Sequence, residues 1–254
     1  MFLYAVIGNG ISMKEKALVS DMLLKSGADI KELNTVRKHL SGVKGGRLAE
    51  IAYLAHILSF IVSDVGVIPE TPKKADQVFC YVRNEIIASN QKTLLAVRDR
   101  ATAMGYNAEN APYPIVGEAM TAGKLLAEKA LKTMRLLRRK DCINKKVCLI
   151  SGGETTVVVR GSGKRGRNME LAIEGTSGIT FLSTGTDGTD GPTHAAGAFV
   201  SGDTMKQARS LGLDPDTYLL THNSYNFFRK AGGLLITGPT RSNVMDIQII
   251  TVEA

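Results

Sequence analysis

The 254-residue sequence contains no tryptophan, three cysteines and four histidines, and each shortage removes a class of chemistry. Cys80, Cys142 and Cys148 are odd in number and lack C-x-x-C spacing, so neither a disulfide framework nor a thiol metal or redox pair is expected. No two histidines stand four apart and no G-x-S-x-G segment occurs, which removes the helical zinc-hydrolase and nucleophile-elbow patterns. Aromatic residues make up only 6%, and no nucleic-acid module pattern is present. The net charge of +8 therefore suits a small polyanion such as a nucleotide or a sugar acid, with no nucleic-acid partner expected. The apolar run IAYLAHILSFIV (51–62) contains His56 and falls short of the roughly 20 residues of a spanning helix. MFLYAVIGNG carries neither a basic leader segment nor a small-residue cleavage site. A cytoplasmic chain without a membrane partner is the expectation.

What is present alternates between helical and extended patterns. Met13–Lys25 has apolar residues at helical spacing with Gly27 where a C-cap falls, and a second helix runs through ELNTVRKHL. RLAEIAYLA reads as a short helix leading into ILSFIV, a run with the length and branching of a buried strand ending at Ser63-Asp64. NEIIASN reads as a strand, QKTLLAVRDRATAMG as a helix closed by Gly105, and residues 117–140 as a long amphipathic helix ending in Arg135, Arg138, Arg139 and Lys140. Beyond that helix, where a domain boundary is placed, KVCLIS and TTVVVR read as two strands joined at Gly152-Gly153. GITFLST, LLIT and MDIQIITV follow as strands, with helices around DTMKQARSLG and SYNFFRKAGG. Such alternation predicts an α/β layer arrangement.

Chemistry concentrates in three stretches. SGGETTVVVRGSGKRGRN (151–168) sets Arg160, Lys164, Arg165 and Arg167 among glycines. Gly161 to Gly166 has P-loop spacing, but Arg167-Asn168 replaces the Lys-Ser/Thr pair, so it is not a Walker A site. The same glycines match the dinucleotide fingerprint, with Asp187 beyond the next strand. A hairpin between KVCLIS and TTVVVR, and a short following helix, count against that reading. A more general mechanism is that backbone N–H groups, a helix N-terminus near Asn168 and cationic side chains converge on phosphate or carboxylate oxygens; an exposed basic turn is the bland alternative. STGTDGTDGPTHAAGA (183–198) places Asp187 and Asp190 in a glycine-rich loop after a strand, where a carboxylate can hold Mg²⁺ or accept a proton; an Asx-rich turn explains it equally. NTVRKHLSGVKGG (34–46) gathers Arg37, Lys38, His39 and Lys44 ahead of Gly45-Gly46. TGPTRSNVMDIQI puts Arg241, Asn243 and Asp246 around a tight turn between strands, with turn structure the leading account.

Four runs, SGADIKELNTVRKHLSGVKGGRLA, CLISGGETTVVVRGSGKRGRNMELAI, STGTDGTDGPTHAAGA and TGPTRSNVMDI, resemble in order the ATP-dependent glycerate 2-kinases whose C-terminal half is the MOFRL domain. The resemblance implies two α/β domains, a Rossmann-like first domain that is incomplete here (1–140) and a smaller α/β MOFRL domain (141–254), with the site in the cleft between them. It implies ATP and Mg²⁺ as cofactors and transfer of phosphate to the 2-hydroxyl of D-glycerate. By motif, Arg167 and Asp187 look like the family's active-site residues. Arg37, Lys44, Gly45, Gly46, Gly152, Gly153, Glu154, Lys164, Asn168, Asp190 and Asn243 are the candidate phosphate or substrate contacts, and Asp187 or Asp190 the candidate Mg²⁺ ligand.

The sequence departs from the family's pattern twice. It begins, in VIGNGISMKEK, after the glycine-lysine segment and the SGGGSA stretch that family members carry, and SDVGVIPETPKK joins directly what the family separates by an I-A-S-G-P-T loop. Loss of cleft wall penalises catalysis by positioning, so the chain is expected to be a weakened kinase, completed by a complementing N-terminal chain or a homo-oligomer. Two alternatives stay open: an inactive remnant that binds phosphate or a sugar acid, and an NAD(P)H-dependent hydroxypyruvate reductase.

Overall fold

The computed structural model describes residues 10–26, 30–63, 77–139, 145–157, 163, 165–172 and 178–254. Arg160, Gly161, Lys164, Cys142, Gly27 and the junction after Ser63 lie outside the described residues. The chain forms two compact units that divide near Ile87 and Ala88.

In the first unit, helix α1 (Met13–Lys25) opens on a reciprocal cap. Ser12 N donates to Glu15 Oε2 at 2.7 Å and Glu15 N donates to Ser12 Oγ at 3.2 Å, which satisfies two amides left over at a helix start. It packs on α2 (Ile30–His39). Arg47, the first residue of α3 (Arg47–Ile51), donates Nη1 to the carbonyls of His39 and Ser41 and so closes the loop between them. Within that loop Gly45 and Gly46 take φ values of +69° and +95°, backbone that a side chain would strain. The helix expected over RLAEIAYLA stops at Ile51, and Leu54 follows at φ +77°, outside helical geometry.

Strands β1 (Ile57–Ser63) and β2 (Val82–Ser89) form a two-stranded sheet. The run ILSFIV is a strand as expected, but it is not buried: Leu58, Phe60 and Val62 lie on its exposed face. A two-stranded sheet offers too little neighbouring surface to cover both faces.

The second unit is built on a seven-stranded mixed sheet. Its strands are β3 (Asn107–Asn110), β4 (Ile115–Glu118), β5 (Lys146–Thr156), β6 (Ile179–Gly185), β7 (Gly197–Val200), β8 (Leu234–Leu235) and β9 (Asp246–Glu253). The order is β3-β5-β9-β6-β7-β8, with β4 continuing the β3 flank of β5. β3 and β4 run parallel to β5, whereas β9 is antiparallel to both β5 and β6. Six helices belong to the described residues of this unit: α4 (Asn90–Ala103), α5 (Ala119–Leu137), α6 (Arg167–Ala172), α7 (Gly202–Ser210), α8 (Pro215–Leu220) and α9 (Ser224–Ala231).

Strand alternation sorts the core into two layers. Val147 and Leu149 of β5 face one way and join Phe181, Ile250, Val252 and the α5 stripe Ala119, Ala122, Leu126, Ala130, Met134 and Leu137. Cys148 and Ile150 face the other way, against Ala101 and its neighbours Leu94 and Val97 on α4. Each large apolar side chain so buried contributes roughly 1.5–3 kcal/mol. Because α4 and α5 both pack on β5, the compact units divide well before the sequence boundary placed at 140.

One strand reading is corrected. KVCLIS and TTVVVR are not a hairpin around Gly152-Gly153; residues 146–156 form a single eleven-residue strand that passes through both glycines. The glycines answer neighbours rather than a turn. A Cβ on Gly152 would lie 2.3 Å from Asn90 Oδ1, and one on Gly153, at φ +146°, would lie 2.1 Å from the Ile115 carbonyl oxygen. No helix among the described residues is long and apolar enough to cross a membrane.

Candidate active site

Antiparallel register brings three distant residues into one rung at the end of the sheet. Asp246, the first residue of β9, pairs with Gly153 of β5 on one side and with Gly185 of β6 on the other. The Asp246 carboxylate projects from the face of the sheet beside Gly185, whose Cβ position lies 3.5 Å from its Oδ1. The backbone on either side of it is fixed: Asn90 Nδ2 donates to the carbonyls of Val244 (2.8 Å) and Asp246 (3.1 Å). Thr186 donates its N and Oγ1 to the carbonyl of Met245, at 3.2 Å and 2.7 Å. Met245 itself sits at φ +68°, a strained left-handed conformation for methionine, immediately before Asp246.

Arg167, at the start of α6, answers that carboxylate. Its Nε donates to Asp246 Oδ2 at 2.6 Å and its Nη2 to Asp246 Oδ1 at 3.0 Å, a bidentate pair in which Asp246 is only 1% exposed. Its Nη1 lies 2.9 Å from Glu154 Oε1, and Glu154 is more than half exposed. The carboxylates of Asp246 and Glu154 outweigh burial and hold the guanidinium pKa above its ordinary value. Asp246 thus holds the Nε–Nη2 edge by hydrogen bonds, while Nη1 meets Glu154 as an ion pair.

The first turn of α6 meets the acidic loop. Asp190 is buried, and its two oxygens accept from Asn168 N (3.2 Å) and Met169 N (2.9 Å). Burial, the largest influence, pushes its pKa up to about 6, opposed by those two amides. Glycines permit the approach: a Cβ on Gly166 would lie 2.1 Å from the Asp190 carboxyl, and one on Gly191 would lie 2.5 Å from the Arg165 carbonyl. Asp187 is half-buried; its Oδ1 accepts from Thr189 N at 3.0 Å and its carbonyl from Thr240 N at 2.9 Å. A Cβ on Gly185 would lie 3.0 Å from Asp187 Oδ1 and 3.5 Å from Asp246 Oδ1, so these two carboxylates flank the same glycine. Arg167, Asp246 and Asp187 thus converge on the C-terminal end of β6, with Glu154 completing the group from β5.

The other sequence-expected residues divide in three. Asn168 is buried, accepting the Ser183 hydroxyl on Oδ1 at 2.5 Å, and the α6 amides expected to meet an anion are occupied by Asp190. Gly152 and Gly153 are explained by the contacts of Asn90 and Ile115, and Asn243 caps its own turn through Oδ1 on Met245 N. Lys44, Gly45 and Gly46 share the loop after α2 in the first unit, where Arg37 donates from α2 to Ser20 Oγ. A concavity of about 700 Å³ beside Leu58, Phe60 and Tyr81 contains none of these candidates.

Sequence reasoning took Asp246 for a turn residue and passed over Asn90 and Gln248. Gln248 lies in the rung behind Asp246, between Ser151 and Ser183. Ser151 donates to its Oε1 at 3.2 Å, while Gln248 Nε2 and Asn168 Nδ2 are buried without a partner among the described residues.

For a cation, no group of three His, Cys, Asp or Glu side chains converges among the described residues. Both Asp246 oxygens accept from Arg167 and both Asp190 oxygens from α6 amides, whereas the Asp187 carboxylate accepts through Oδ1 alone among the described residues. Among the described residues the dinucleotide topology is not present. β5 and β6 are separated by β9 instead of lying side by side in a βαβ unit.

Comparison with known proteins agrees with this architecture. Residues 147–246 match the MOFRL family and residues 3–71 match a domain-of-unknown-function family, DUF4147. D-glycerate 2-kinase of Thermotoga maritima is 38% identical over 287 residues, spanning 94% of this chain and 67% of that protein. Glycerate 2-kinase of Pyrococcus horikoshii is 35% identical, spanning 99% and 68%. The crystal structure of glycerate kinase from Thermotoga maritima superposes with a TM-score of 0.85 at 36% identity, covering 98% of this chain and 69% of that one. The 287-residue match exceeds the 254 residues present here, so the relative carries residues within the matched stretch that have no counterpart in this chain. At this level of identity and coverage, the chain belongs to the glycerate 2-kinase family.

Proposed function

We propose that the protein is an ATP-dependent kinase that transfers the γ-phosphoryl group to the 2-hydroxyl of D-glycerate, giving 2-phosphoglycerate. The observation that carries this reading is the guanidinium of Arg167 held by Asp246 beside the carboxylate of Asp187. Phosphoryl transfer asks a protein chiefly for positioning and for charge placed where charge moves. Arg167 offers its Nη1 edge to the migrating phosphoryl oxygens, and being clamped through Nε and Nη2 it need not reorganise as they arrive. Asp187 orients the acceptor hydroxyl and receives its proton. Asp187 also fits a Mg²⁺ ion held mainly by nucleotide phosphates, since such sites take only one or two protein carboxylates; bound there, the ion would neutralise phosphate charge. The two units correspond to the remnant and MOFRL segments of the motif division at 140–141 only in part, the MOFRL segment lying wholly in the second.

The residues missing inside the match support a reduced rate, because positioning is lost with the wall that supplies it. Incubation of the purified chain with ATP, Mg²⁺ and D-glycerate, with the product identified by phosphorus NMR, tests both statements. We expect 2-phosphoglycerate at well below the ~1–1000 s⁻¹ of ordinary enzymes, and its loss in Asp187→Asn with folding retained. A rate per chain that climbs with protein concentration marks assembly of copies. No product above background refutes the kinase reading, and an ordinary rate refutes the impairment.

A further inference from the structure

The two carboxylates that grip Arg167 are built differently, and the difference assigns them different work. Asp246 is buried, bidentate, framed by Gly153 and Gly185 in adjacent strands, and fixed through its own carbonyl by Asn90. Moving it would strand a charge inside the sheet. Glu154 offers a single contact from an exposed side chain, across from Val116 on the β4 flank of β5. Exposed pairs of this type contribute little and exchange readily with solvent or another anion. A carboxylate oxygen on Nη1 also has the charge and hydrogen-bonding character of a phosphoryl or carboxylate oxygen of a ligand.

We propose that Asp246 is the positioning residue that keeps Arg167 in place throughout turnover, while Glu154 occupies the seat of an incoming anionic oxygen and is displaced by it. The inference rests on the reading of Arg167 as the anion contact and adds to it an ordered guanidinium with one permanent and one exchangeable edge. It gives the two substitutions opposite signs. Asp246→Asn loosens the guanidinium, lowering kcat about 100-fold, as expected when a charged group is misplaced by about an ångström. Glu154→Gln removes a competitor and lowers the KM for ATP about two- to fivefold, the range corresponding to one exposed ion pair.

The experiment measures steady-state kinetics for the full chain and for Asp246→Asn, Glu154→Gln, Arg167→Ala and the two doubles with Arg167→Ala, alongside calorimetric titration with inorganic phosphate and thermal unfolding. Both carboxylates act through Arg167, so each double is expected to match Arg167→Ala alone; effects that simply add would show structural roles and overturn the proposal. Should Asp246→Asn fail to fold, the Glu154 arm decides, because tighter phosphate binding by Glu154→Gln that vanishes with Arg167→Ala supports displacement. An unchanged or raised KM and phosphate Kd in Glu154→Gln, with glycerate still phosphorylated by the parent chain, overturns the inference and leaves the kinase reading standing. Absence of turnover with phosphate binding still sharpened by Glu154→Gln sinks the kinase reading alone. No phosphate binding by either protein overturns the displacement itself.

Discussion

Raising the pH from 4 to 7 is expected to cost the folded protein about 2 to 3 kcal/mol through one carboxyl group, Asp190. Its pKa is pushed from 3.8 to about 6, chiefly by burial and further by the charge of Asp246; the amides of Met169 and Asn168 and the charge of Arg167 pull the other way. Each pKa unit corresponds to about 1.4 kcal/mol between protonation states. Since the folded value is raised, the folded state holds its proton more tightly than the unfolded chain. The resulting stability is complete below about 3.8, declines as pH rises through about 6, and changes no further above. Glu15, Glu118, Asp214 and Glu253 have lowered values and act with the opposite sign, losing their contributions as pH falls. A single pH–stability curve therefore mixes both tendencies. Urea unfolding of the parent chain and of Asp190→Asn at pH 4, 5, 6 and 7 separates them, because only the parent carries the Asp190 titration. The parent's stability relative to the variant should fall by about 2 to 3 kcal/mol across that range. Parallel curves would refute the argument that burial dominates at this carboxyl. The same carboxyl accepts from two amides in the first turn of α6, the turn that carries Arg167, and protonation weakens one of those two acceptors.

Two backbone contacts yield further tests. Gly153→Ala places a methyl 2.1 Å from the Ile115 carbonyl at a φ of +146°, so β4 must separate from β5. An overpacking cost of about 1–3 kcal/mol is expected, read as a fall of several degrees in the unfolding midpoint, and an unchanged midpoint contradicts the contact. Asn90→Ala leaves the carbonyls of Val244 and Asp246 without their donor. Circular dichroism melts should show about 1–3 kcal/mol lost, with turnover reduced as well because the Asp246 backbone is released; a stability loss with undiminished turnover would show that Asn90 does not position the site.

Elements whose pattern is local were legible. α1 matches Met13–Lys25 residue for residue, and α4, α5, α7, α9, β6 and β9 fall where periodicity and flanking glycines put them. Elements that owe their form to a neighbour were not. β3 and β4 have only four residues each and exist as strands because β5 offers them a parallel edge. Gly152-Gly153 carries the composition of a turn, yet the chain continues straight through it, since what the glycines accommodate is Asn90 and Ile115. Leu58, Phe60 and Val62 read as buried because hydropathy records only a side chain's preference; whether a covering surface exists is decided elsewhere in the fold.

The site repeats that division. Motifs point to Arg167 and Asp187 as candidates, and the structure places both at the end of β6. Asp246, which holds the arginine, was dismissed as part of a turn. Its meaning lies in register: a shift of β9 by one residue would turn Asp246 to the opposite face of the sheet, away from α6, and place Ile247 between the glycines. No local feature of MDIQIITV reports that register. Glycines stand opposite Asp246 at 153 and 185, but a Cβ there would first meet Ile115 at the one and Thr189 at the other, so they do not announce the carboxylate between them. Glycines that explain no turn are therefore worth reading as points of close approach by another segment, and in this chain the partner of Arg167 is set by strand register and not by the glycines beside it.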